Sequence, residues 1–148
     1  MSQQQATGGS LLMDCLIGLG AYKGFGVPGE SYLAVLDAMY DRADKFELIL
    51  CRHEGGAAYM AEAWGKLTGT PGLCFVTRGP GATNASIGVH TAMQNSTPMI
   101  VFVGQVGVGM KGREAFQEIE YSHYFAVNKF QTHLNSRYQY QNIYLQLL

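Results

Sequence analysis

The chain has 148 residues, of which 47% are hydrophobic and only 14% charged, with a formal net charge of -1. That length allows one domain with a real core, and the near-neutral balance supplies no basic field, which argues against a nucleic-acid ligand. No apolar run is long enough to span a bilayer, so no membrane association is expected, and the polar Met1-Ser2-Gln3-Gln4-Gln5 start does not read as a signal peptide.

In chain order, Ser10 is placed to cap a first helix carrying Leu11, Leu12, Cys15, Leu16 and Leu19. A first strand is expected near 22–27, leading into the turn-forming Gly24-Phe25-Gly26-Val27-Pro28-Gly29 and then a helix over about 30–44. Leu48-Ile49-Leu50-Cys51 reads as a short buried strand, and Ala57, Met60, Ala61, Trp64 and Leu67 follow at helical spacing. Between them lies Arg52-His53-Glu54-Gly55-Gly56-Ala57-Ala58, which puts Glu54 at the carboxyl end of a strand, where open α/β sheets place their ligands. By itself such a glutamate could equally serve to stabilise a helix N-terminus.

The pattern repeats. Gly72-Leu73-Cys74-Phe75-Val76-Thr77 reads as a strand, then comes the loop Arg78-Gly79-Pro80-Gly81-Ala82-Thr83-Asn84, then a helical run to about Met93. No Gly-Lys-Ser/Thr follows, so the loop is not a phosphate loop of the Walker type. Pro98-Met99-Ile100-Val101-Phe102-Val103-Gly104 is a fourth strand, and 125–130 is a candidate fifth. This alternation predicts a three-layer α/β/α domain with a mostly parallel central sheet of five or six strands. The domain is expected over 1–130, with 131–148 an atypical tail. That tail has Arg137 as its one formal charge, and 142–147 could supply a substitute final strand.

Other patterns fail on their own terms. Gly107-Val108-Gly109-Met110-Lys111-Gly112 has the form of a dinucleotide fingerprint, but Glu120 is the last acidic residue in the chain, so the required acid about 20 residues on is missing. His53-Glu54 begins like a zinc-protease helix, yet the fifth position is Ala57. The four histidines have no metal-ligand spacing, and no metal site is expected on this chain. Cys15, Cys51 and Cys74 lie in or near apolar runs and read as buried free thiols of a cytoplasmic protein. So little charge also suggests a surface hidden against a partner.

Five motifs in order carry a family resemblance: Phe25-Gly26-Val27-Pro28-Gly29, Arg52-His53-Glu54-Gly55-Gly56-Ala57, Gly79-Pro80-Gly81-Ala82-Thr83-Asn84, Gly104-Gln105-Val106 and Ala115-Phe116-Gln117-Glu118. With them, the chain from about Ser10 to about Phe130 resembles the N-terminal pyrimidine-binding domain of thiamine diphosphate enzymes, in particular the acetolactate synthase-like branch. The resemblance implies that Glu54 is catalytic, hydrogen-bonding the pyrimidine ring nitrogen and so favouring the tautomer that activates the cofactor. It implies cofactor contacts from Pro28, Gly29, Glu54, Thr77, Gly81 and Asn84, and a substrate pocket lined by Phe116 and Gln117. The protein's part is position and proton control, while the cofactor carries the hard chemistry.

Members of this family hold the diphosphate through Mg²⁺ on a separate C-terminal domain, using a Gly-Asp-Gly type motif. Asp14, Asp37, Asp41 and Asp44 offer no such motif. The chain is therefore expected to bind only the aminopyrimidine end of thiamine diphosphate, with Mg²⁺ held elsewhere. It is expected to work as a homodimer, or with a diphosphate-binding domain or subunit, on a small 2-oxo acid. The alternative is a non-catalytic, truncated module that only dimerises or pairs with a fuller subunit.

Overall fold

Thr7 opens the fold, with its hydroxyl accepting the backbone N–H of Ser10 at 3.1 Å and capping helix α1 (Gly8–Gly18). The cap is thus Thr7, whose backbone is extended, and Ser10 lies in the first turn instead. The computed structural model describes residues 7–125, 131–133 and 143–147.

Strand β1 (Lys23–Gly26) follows, then a single 3₁₀ turn at Glu30–Tyr32 and helix α2 (Leu33–Tyr40), shorter than the helix expected over 30–44. Next come β2 (Glu47–Leu50), α3 (Glu54–Thr68), β3 (Gly72–Val76), α4 (Gly79–Gln94) and β4 (Met99–Gly104). A short α5 (Tyr121–Phe125) and two strands, β5 (Gln131–His133) and β6 (Ile143–Leu147), complete the described elements. The candidate strand over 125–130 does not survive at its first residue, because Phe125 ends α5; 126–130 lie outside the described residues. Tyr121 and Phe125 are four apart and both buried, so one helical turn covers them where an apolar strand was expected.

Among the described residues the result is an α/β fold with five helices and a four-strand parallel sheet in the order β2-β1-β3-β4. Beyond β4 the sheet continues with β6 and then β5, and both of these pairings are antiparallel. Ile143 pairs with Gly104 and Leu147 with Ile100. Strand β6 therefore runs opposite to the four parallel strands, while β5, antiparallel to β6, runs the same way as they do.

Side-chain alternation divides the core in two. Cys74 and Val76 of β3, with Val101 and Val103 of β4, pack with Ala57, Ala58 and Ala61 of α3 and Ala82, Ala85 and Val89 of α4. Leu73, Phe75 and Phe102 point the other way, to Met13 and Leu16 of α1 and Val35 and Met39 of α2. Phe75 and Phe102 stack with ring centroids 4.5 Å apart. Burial on both faces explains why these parallel strands read as continuous apolar runs. Of the cysteines, Cys74 is buried, Cys51 half-buried and Cys15 exposed; all are free. The expectation of three buried thiols fails at Cys15, which faces outward on α1. Burial pushes the Cys74 and Cys51 thiols up from their ordinary range.

Helices α3 and α4 touch through small residues. A Cβ on Gly88 would stand 2.6 Å from the Ala58 Cβ, so only glycine allows the approach. Farther along α3, buried Glu62 accepts from Lys66 Nζ at 3.0 Å, Asn95 Nδ2 at 3.1 Å and Thr97 Oγ1 at 3.2 Å, joining α3 to the turn before β4. Lys66 foremost, then Asn95 and Thr97, hold this carboxyl below the usual glutamate range against the opposing effect of burial. A depressed carboxyl contributes stability above its unfolded value, about 4.3, and loses it as pH falls through the folded value. Since Lys66 is half exposed and screened, Glu62→Gln should cost only about 1 kcal/mol at pH 7. The gap between variant and parent should close below about pH 4, as read by urea denaturation across pH.

Candidate active site at the carboxyl end of the sheet

Glu54 is the first residue of α3, immediately beyond the carboxyl end of β2. His53 caps that helix with extended backbone, its Nδ1 accepting the Gly55 N–H at 3.0 Å. The cap fixes where the helix begins and so where the Glu54 side chain leaves the backbone. Its Oε2 accepts from Asn84 Nδ2 of α4 at 3.0 Å. The Gly88–Ala58 approach keeps the two helices close enough for that bond.

The sequence read Arg78-Gly79-Pro80-Gly81-Ala82-Thr83-Asn84 as a loop, but α4 already begins at Gly79, with Pro80 in the first turn where its missing N–H is harmless. Gly81 is buried against both sides of the site. A Cβ there would come within 2.8 Å of Thr77 Cγ2 and 3.5 Å of Glu54 Oε1. Gly29 meets Thr77 from the β1 side, since a Cβ on it would lie 2.6 Å from the Thr77 Cβ. Thr77 is held by Ser31, with 2.9 Å between the two hydroxyl oxygens. A continuous set of contacts thus runs from Gly29 through Thr77 and Gly81 to Glu54 and Asn84. Pro28 lies beside Gly29 and is exposed.

Tyr32 steadies this turn from below. Its buried hydroxyl donates to the Val27 carbonyl at 2.5 Å, and burial drives its phenol well above the ordinary range. Phe116 and Gln117 fall outside any helix. Phe116 is 75% exposed, while Gln117 is half-buried at φ 63°, with its carbonyl so near Gly79 that a Cβ there would lie 2.4 Å away. Gly79 itself has φ +21° and hydrogen-bonds through its N–H to the Tyr121 hydroxyl at 2.8 Å. That hydroxyl also donates to the Gly104 carbonyl at 3.3 Å. The glycine-rich segment after β4 forms a 3₁₀ turn at Val108–Met110 with no following helix, so it offers no dinucleotide site.

Sequence reasoning missed Ser31, Tyr32, Arg78 with its ion-pair partner Glu30, and Tyr121. Tyr121 reaches Gly79 across 42 residues of chain, and no local spacing signals such a contact.

The site offers one carboxylate oxygen, Glu54 Oε1, with no hydrogen bond among the described residues, beside Gly81, which packs closely on Thr77. Among the described residues there is no group of three His, Cys, Asp or Glu able to hold a metal ion. No helix among them is long and apolar enough to cross a membrane.

The family described as thiamine pyrophosphate enzyme, N-terminal TPP binding domain, matches residues 6–124. The chain is 44% identical over 114 residues to the mitochondrial acetolactate synthase catalytic subunit of Aspergillus candidus, covering 77% of this chain and 16% of that protein. It is 41% identical over 118 residues to the acetolactate synthase large subunit of Pyropia yezoensis, covering 78% and 20%. Against an acetolactate synthase of Mycobacterium bovis it is 40% identical over 119 residues, covering 80% and 19%. The chain spans a fifth or less of the length of these relatives. It belongs to the N-terminal, thiamine pyrophosphate-binding domain family of thiamine pyrophosphate enzymes and is similar to the acetolactate synthases within it.

Proposed function

We propose that this chain is the pyrimidine-side half of a thiamine diphosphate-dependent, acetolactate synthase-like 2-oxo acid carboligase or decarboxylase, a lyase or transferase. The observation that carries this reading is Glu54, fixed by Asn84 through one oxygen while the other lies toward Gly81. Thiamine diphosphate, when bound, supplies a carbon acid able to add to the carbonyl of a 2-oxo acid. The residues of this chain would bind its aminopyrimidine and hold a proton there. Glu54 would share a proton with a ring nitrogen through Oε1, and Asn84 would keep that carboxyl from rotating. Thr77, Gly81, Gly29 and Pro28 would border the ring, and Phe116 with Gln117 would face the substrate.

Mg²⁺ and the diphosphate are assigned to a separate domain or partner subunit. The free thiols support a reducing compartment, in our reading the cytoplasm. Tyr59, Met60 and Leu67 of α3 and Ile87 of α4 are exposed, which supports association, as a homodimer or with the diphosphate-binding partner, with the Glu54 helix at or near the interface.

The isolated chain is expected to bind thiamine diphosphate weakly and to leave pyruvate unreacted, because most of the cofactor's charge would stay unpaired. Titration calorimetry with Mg²⁺ present checks this, and a micromolar dissociation constant or measurable acetolactate would refute it. Light scattering tests association: a clean monomer at high micromolar concentration, with no partner found, counts against it.

A further inference from the structure

Strands β3 and β4 run in register, with Val76 beside Val103, so two residues farther on Arg78 and Gln105 stand at adjacent strand ends. Both ends are clamped. Ser31 is bonded to Thr77 and packs so tightly on Gly104 that a Cβ there would fall 1.9 Å from its hydroxyl oxygen, while the Tyr121 hydroxyl bridges Gly79 and Gly104. Within this rigid frame two donors are left over. Arg78 Nε and Gln105 Nε2 are buried and have no hydrogen-bond partner among the described residues. The Gln105 residue is 3% exposed and the Arg78 side chain 13%. Buried unpaired donors are uncommon and call for an explanation.

The ion pair of Arg78 supplies one. Glu30 meets the guanidinium only through Nη2, and its own side chain is 69% exposed. A carboxylate can take Nε and Nη2 together as a fork, and the present pair uses half of it. Glu30 can swing into water at little cost, whereas the guanidinium is enclosed. The next residue, Gly79, touches the Gln117 carbonyl, so Arg78 adjoins in the chain a contact to the segment proposed above to face the substrate.

We propose that Arg78 is a specificity-determining residue that binds the carboxylate of a small 2-oxo acid through Nε and Nη2, with Glu30 as the displaceable carboxylate that occupies the fork in its absence. Gln105 Nε2 adds a second donor at the neighbouring strand end. The choice of acid rests on the proposed function; the carboxylate site does not depend on the cofactor.

The test is an NMR titration of the full ¹⁵N-labelled chain with sodium pyruvate, following the arginine Nε–H and glutamine side-chain signals, with sodium chloride as the ionic-strength control. Saturable shifts of Arg78 Nε and Gln105 Nε2 with a common dissociation constant on the order of millimolar are expected. Arg78→Lys, which keeps the charge and loses the fork, should weaken binding about tenfold or more, followed through the Gln105 signal. Glu30→Gln should tighten it, an effect that damage to the fold cannot imitate. Glu54→Gln should leave the titration unchanged, so failure of the pyrimidine assignment and failure of this site are told apart. Absence of a saturable shift, equal shifts with chloride, or no gain in Glu30→Gln would each overturn the proposal.

Discussion

Glu54→Gln, placed in a complex that also holds the diphosphate, is expected to fold normally and to lose about 10²–10⁴-fold in activation of the cofactor, the range for a positioned acid–base group. Glutamine has nearly the same shape and can still accept from Asn84 Nδ2 through its amide oxygen. What it cannot do is exchange a proton with a ring nitrogen. The loss should therefore fall on the proton-transfer step, with ring binding changed far less. A glutamate that only stabilised the α3 N-terminus would behave differently: its substitution would alter stability by a few tenths of a kcal/mol to about 1 kcal/mol and leave chemistry alone.

Gly72→Ala is expected to be a strongly damaging single-methyl change where α3 packs on β3. Gly72 opens β3, and a Cβ there would stand 1.9 Å from the Ala61 carbonyl oxygen and 2.6 Å from its carbon. These are backbone atoms of α3, so no side-chain rotation relieves the overlap. The helix must shift against the sheet, at a cost of about 1–3 kcal/mol or more. Because Glu54 is the first residue of that helix, the shift also displaces it relative to Asn84. Urea denaturation should show the lower midpoint. In the assembled complex, cofactor binding should weaken even at temperatures where the variant is fully folded. A variant as stable as the parent would mean that α3 does not sit as close to β3 as described.

Glu54 could be placed from sequence because the signal is local. An apolar run ends at Cys51, and helical spacing begins at Ala57, which leaves Glu54 only the junction between them. Strands β3 and β4 were legible for the same reason, since each is apolar throughout, whereas β1 opens on Lys23 and β2 on Glu47. Boundaries were less so. Thr7 and Ser10 are both good caps by residue type, and only the extended backbone at Thr7 decides between them. Pro80 suits a turn or the first turn of a helix equally well, and here it is the helix. Phe125 belongs to an apolar segment too short for periodicity to separate strand from helix. The supports of the site were beyond reach altogether. Ser31 to Thr77, Arg78 to Glu30 and Gly79 to Tyr121 are contacts between residues more than 40 apart in the chain, created only when the strands align.

The most direct measurement of Glu54's role is exchange of the cofactor's reactive thiazolium proton for deuterium, followed by NMR. It requires the chain paired with a diphosphate-binding partner, or grafted in place of the corresponding N-terminal segment of an acetolactate synthase large subunit. The parent should exchange fast and Glu54→Gln slower by about 10²–10⁴-fold, with both proteins saturated with thiamine diphosphate and Mg²⁺. Equal exchange rates in the two would contradict the assignment and leave Glu54 as a helix-end carboxylate.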